Sequence, residues 1–86
     1  MRVLIIEDEE VLARSLAAKL REIRPDIEIV GHTTSIQESI SFLGFYKDID
    51  IIFADIKIDD GLSFAIFDKL DVDAMIVFMK DESIDY

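Results

Sequence analysis

The sequence predicts an α/β fold: a doubly wound parallel sheet of strand order 2-1-3-4, with helices on both faces. Three observations carry this reading. The stretch Asp50-Ile51-Ile52-Phe53-Ala54-Asp55 is an almost purely apolar run that ends in one carboxylate. Runs of this kind, without alternation, form strands buried on both faces. The N-terminus repeats the pattern, with Val3-Leu4-Ile5-Ile6 followed by Glu7-Asp8. Between the apolar runs lie segments of helical period, and strands alternating with helices imply right-handed βαβ crossovers and a parallel sheet.

Residues 2–6 form the first strand. From Glu9 to about Arg24 the pattern is helical, with Val11, Leu12, Leu16, Leu20 and Ile23 as the expected buried face. Acids in its first turn and arginines in its last suit the helix dipole, and Pro25 stops it. Ile27-Glu28-Ile29-Val30 is the second strand, closed by Gly31. It alternates more than the others, which places it at a sheet edge. Thr33, Thr34 or Ser35 caps the second helix, whose stripe is Ile36, Ile40 and Leu43 and whose end is Gly44. Phe45 and Tyr46 are expected to cover core. After the central strand, Ile56 to Asp60 form a loop closed by Gly61. Leu62, Ala65, Ile66 and Leu70 mark a third helix, and Met75 to Met79 a fourth buried strand. Lys80 to Tyr86 read as the first turns of another helix.

Composition narrows the function. The chain has 86 residues, of which 51% are apolar, with three glycines, one proline and no cysteine. That describes one small domain with a packed core and no thiolate metal site. The absence of cysteine, of a signal peptide and of any membrane-length apolar run suits the cytoplasm. A formal net charge of -10 disfavours nucleic acid and anionic membranes as direct partners and favours cations or basic protein surfaces.

The candidate site follows from the strand order. In a doubly wound sheet the ligand crevice lies at the carboxyl ends of the strands, where the order reverses. Here that point lies between the first and third strands, so Glu7, Asp8 and Asp55 are expected to converge there. Three acids in one crevice share protons or bind a cation, and oxygen-only ligands select a hard ion such as Mg²⁺. Neither GxxxxGK[ST] nor GxGxxG occurs, and Glu7-Asp8-Glu9-Glu10 would repel a bare phosphate. A metal-bridged phosphate is the kind this crevice should accept.

The stretches Val3-Leu4-Ile5-Ile6-Glu7-Asp8-Glu9, Asp50-Ile51-Ile52-Phe53-Ala54-Asp55-Ile56 and Asp60-Gly61-Leu62-Ser63-Phe64 together resemble a response-regulator receiver domain of two-component systems, with wording similar to receivers of LytTR-type transcriptional regulators. The likeness spans essentially residues 1–86. It implies a flavodoxin-like receiver fold of order 2-1-3-4, ending before the family's fifth strand and fifth helix. It implies a phosphoacceptor, Asp55, and Mg²⁺ held by Glu7, Asp8, Asp55 and the backbone carbonyl of Lys57. It further implies a histidine kinase as partner, a cytoplasmic phosphorelay, no enzyme activity of its own, and control of an output domain, DNA-binding in a longer parent.

Departures from the family pattern open an alternative. Met79 stands where receivers carry Thr or Ser to hydrogen-bond the phosphoryl group, and the family's strand-five lysine and aromatic switch residue have no counterpart. Lys57 or Lys80 could supply positive charge instead. A non-phosphorylated pseudo-receiver, acting as an interaction or dimerisation module, is the competing reading. A phosphatase of the haloacid-dehalogenase kind would want a second Asp two residues after Asp55, where Lys57 stands. A bare edge on the fourth strand and the uncovered Leu12–Leu16–Leu20 face lead us to expect self-association, as a homodimer or swapped oligomer. His32 reads as an ordinary loop residue, and Asp59 and Asp60 as a solvated turn.

Overall fold

The computed structural model describes residues 1–79. In chain order the elements are β1 (Arg2–Ile6), α1 (Glu10–Ile23), β2 (Glu28–Thr33), α2 (Ile36–Phe45), β3 (Ile51–Asp55), β4 (Lys57–Ile58), β5 (Gly61–Leu62), α3 (Phe64–Lys69) and β6 (Met75–Met79). The main sheet is parallel with order β2-β1-β3-β6, and β4 and β5 form a separate antiparallel hairpin. With β6 as the fourth main strand, this is the expected order 2-1-3-4.

β1 is the axis of the fold. Val3, Leu4, Ile5 and Ile6 are each at most 1% exposed. Successive strand side chains point to opposite faces, so one apolar run feeds two cores. Leu4 and Ile6 join Ile52, Ala54, Leu43 of α2 and Ile66 of α3 on one face. Val3 and Ile5 join Ala13 of α1 on the other, with Leu16, Ala17, Leu20, Ile51 and Phe53 packed around them. Helices therefore cover both faces, as the apolar strands require.

Several element details differ from the sequence reading. The buried face of α1 is Ala13, Leu16, Ala17 and Leu20, while Val11, Leu12 and Ile23 are 77%, 49% and 75% exposed. Spacing of 3, 1 and 3 residues is itself a helical stripe. Two alanines in it let the helix lie close to the sheet, and Val11, Leu12 and Ile23 fall outside it. The second strand does not close at Gly31 but runs to Thr33. The second helix passes through Gly44 to Phe45, and Phe45 is 94% exposed rather than core. Tyr46 alone of that pair turns inward, packing on the core and stacking on Phe42 at 5.4 Å.

Ser35 is the cap of α2, accepting from Glu38 N–H at 3.0 Å, and Glu38 in turn accepts from Thr34 N–H at 2.7 Å. The expected loop after β3 contains the β4–β5 hairpin, and Leu62 lies in β5, half-exposed, instead of on the third helix. Among the described residues β6 is an edge strand and is only partly covered, with Met75 64% exposed. Phe78 packs edge-to-face on Phe64 at 4.6 Å and Phe67 at 5.9 Å. The helical start expected over 80–86, with Lys80, lies outside the described residues.

Candidate metal centre

β1 and β3 are in register, with Ile6 opposite Ala54. The next position on each strand is an acid, Glu7 and Asp55. β1 is also the strand that pairs with both β2 and β3, so this edge is where the order reverses. Glu7, Asp8 and Asp55 each present a carboxylate oxygen within 4.8 Å of the other two. The expected convergence of these residues is thus what the fold produces.

Glu7 is the deepest of the three, only 6% exposed. Its N–H extends the β1–β2 ladder by one step, donating to the Thr33 carbonyl at 2.9 Å. One carboxylate oxygen accepts from Glu9 N–H at 3.1 Å, which folds the acidic turn back on itself ahead of α1. Burial pushes the Glu7 carboxyl up to about 7; a hydrogen bond with Asp8 and the charges of Asp55 and Asp8 push the same way, and the Glu9 N–H only partly opposes them. Glu7 gives up its proton reluctantly because its charge would be buried and would face two other acids. A hard divalent cation would offset that charge, and a donor set made only of carboxylate oxygens fits Mg²⁺. Such an ion would offset charge on an oxygen-rich ligand brought to Asp55.

The remaining candidates are placed as follows. Lys57 lies in β4, two residues past Asp55, with its side chain exposed. The loop that carries it is held by Ser63, a wholly buried residue whose N–H donates to the Ile56 carbonyl at 2.8 Å. Met79 is opposite Asp55 in the β3–β6 register, and its carbonyl accepts from Ile56 N–H at 3.3 Å. A thioether there offers no donor to an anion.

Two residues have roles the sequence did not reveal. Asp60 is not merely a solvated turn. Its carboxylate accepts from Ile36 N–H at 2.7 Å and Gln37 N–H at 3.3 Å, capping α2 from 24 residues away, and these bonds hold its carboxyl below the usual range. His32 is not a loop residue. It lies in β2 opposite Ile5, and its Nε2 is 2.7 Å from the backbone carbonyl oxygen of Glu7. A hydroxylic turn residue near a helix start is a legible sign of a local cap. Neither of these contacts has such a sign, because each joins segments far apart in the chain.

No protein-family model matches the sequence, and no curated protein is significantly similar to it. Solved structures are. The chain superposes on the MaeR response regulator bound to beryllium trifluoride with a TM-score of 0.82 at 15% identity, over 98% of this chain and 70% of that one. The anti-anti-sigma factor PhyR from Bartonella quintana matches with a TM-score of 0.76 at 26% identity, over 92% of this chain. The chain spans about a third of that protein (33%). A structure of the P1 domain of CheA3 in complex with CheY6 from R. sphaeroides matches with a TM-score of 0.72 at 26% identity, over 96% of this chain and 65% of that one. This chain has the receiver fold of response regulators, and its neighbours belong to two-component signalling.

Proposed function

We propose that this chain is a phosphoacceptor signalling domain that takes a phosphoryl group from a histidine kinase on Asp55. The observation that carries the reading is the meeting of Glu7, Asp8 and Asp55 at the carboxyl edge of β1 and β3. An Asp55 carboxylate oxygen attacks phosphorus, the phosphorus–nitrogen bond of a phosphohistidine breaks, and its electron pair stays on the imidazole. The product is an acyl phosphate on Asp55 and a free histidine. Glu7 and Asp8, with Asp55 and the carbonyl of Lys57, would hold Mg²⁺. The ion supplies charge compensation for the phosphoryl oxygens, and fixed geometry supplies most of the rest.

A kinase partner is in keeping with the R. sphaeroides neighbour, which assembles with the P1 domain of CheA3. In a longer parent of the LytTR type, the domain would control a DNA-binding output domain, in the cytoplasm. Among the described residues, no helix is long and apolar enough to cross a membrane. Exposed Met75 on the edge strand β6 and exposed Val11 and Leu12 on α1 support self-association, which light scattering at tens of micromolar tests.

The deciding experiment is incubation with Mg²⁺ and a small acyl-phosphate donor, followed by intact-mass measurement. The expected result is one added phosphoryl group, absent without Mg²⁺ and absent in Asp55→Asn. Met79 opposite Asp55 favours a second reading, a non-phosphorylated interaction module, because the phosphoryl oxygens would lack a hydroxyl donor there. No mass gain in the wild type would select that reading.

A further inference from the structure

We propose that His32 is a positioning residue for the metal site, and that a bulge in β2 exists to aim it. The inference rests on the Mg²⁺ reading above.

The β1–β2 register skips one residue. Val3 pairs with Ile29 and Leu4 with Gly31, so Val30 is skipped. An extra residue in one strand shifts every later side chain to the opposite face. Ile29 packs with the α1 core and Val30 with the α2 core. Strict alternation would return Gly31 to the α1 side. Instead a Cβ at Gly31 would lie 2.7 Å from Cζ of Phe42, on the α2 side. Two consecutive residues therefore face α2, and any side chain at the second place must displace the Phe42 ring. Downstream, Thr33 is buried with its hydroxyl 2.7 Å from that of Ser39 on α2, and His32 falls on the α1 side beside Ile5 and Glu10.

From that side His32 reaches the end of β1. A carbonyl only accepts, so Nε2 carries the proton and donates to the Glu7 oxygen. That oxygen belongs to the peptide joining Glu7 to Asp8. The Glu7 N–H is meanwhile held by Thr33. Adjacent residues of β2 thus grip the Glu7 backbone on both sides, and the plane of the Glu7–Asp8 peptide sets the direction in which both acids leave the chain. Partners behind metal ligands commonly govern affinity through such orientation.

The test is Mg²⁺ titration by calorimetry on wild type, His32→Ala and His32→Gln, with urea unfolding in EDTA alongside. We expect His32→Ala to weaken Mg²⁺ binding about tenfold or more. His32→Gln, whose amide can still donate, recovers part of the loss. A merely structural histidine would lower the urea midpoint in EDTA and leave the affinity of the folded protein unchanged. Equal affinity in wild type and His32→Ala overturns the inference and leaves the Mg²⁺ reading standing. A wild type that takes up no Mg²⁺ overturns both.

Discussion

Glu7→Gln isolates the electrostatic cost of the acidic cluster. The substitution keeps the size of a side chain that is 6% exposed and removes its ability to ionise. In the wild type the Glu7 carboxyl is raised from its ordinary 4.5 to about 7, first by burial and then by Asp8 and Asp55. The folded state therefore holds this proton more tightly than the unfolded chain does. Below pH 4.5 both states are protonated and the group costs nothing. As pH rises through the interval to about 7, the unfolded chain ionises and the folded one does not, so stability is lost; above that it is flat. At about 1.4 kcal/mol per decade of proton affinity, the full loss is about 3 kcal/mol. The assay is urea unfolding followed by circular dichroism at pH 5 and pH 8 in EDTA. The gap between Glu7→Gln and wild type should widen by about 2 kcal/mol in favour of the variant on going to pH 8. Added Mg²⁺ should then stabilise wild type more at pH 8 than at pH 5, because the ligand must be deprotonated, and should stabilise the variant far less. A gap that is the same at both pH values would refute the reasoning, since it would mean that Glu7 titrates alike in the folded and unfolded chains.

Further outcomes are expected of other substitutions. Gly31→Ala should cost about 1–2 kcal/mol in urea unfolding, because its Cβ must displace the Phe42 ring; pairing it with Phe42→Leu should recover part of that. Asp60→Ala should lower the urea midpoint by removing both acceptors from the first turn of α2, and acidification through the carboxylate range should weaken the wild type in the same direction, since Asp60 is held below its ordinary value. Phe45→Ser should change stability by no more than about 0.5 kcal/mol, whereas Ile52→Ala, at a wholly buried position of β3, should cost about 2–5 kcal/mol.

The strands and their acids were legible because each signal is contained in a few neighbouring residues. An unalternating run such as Val3–Ile6 demands burial on both faces, and the acid that follows must emerge at the end of the strand. Once β1 and β3 are recognised as neighbours, Glu7 and Asp55 have to meet. Helix faces were less legible. The residues Val11, Leu12 and Ile23 are apolar at helical spacing, yet the sheet packs against a stripe containing Ala13 and Ala17, where small side chains allow close approach. Hydropathy alone does not weigh closeness against size.

The sequence by itself determined the alternation of buried strands and helices, the parallel sheet they must form, and the delivery of carboxylates to one edge of it. Tertiary structure alone decided the skipped residue in β2, the hydrogen bond from His32 to Glu7, the capping of α2 by Asp60 and the partial cover of β6. The division has one physical cause. Periodicity and strand-end charge act within a single element, while register and remote hydrogen bonds depend on how two distant elements slide against each other.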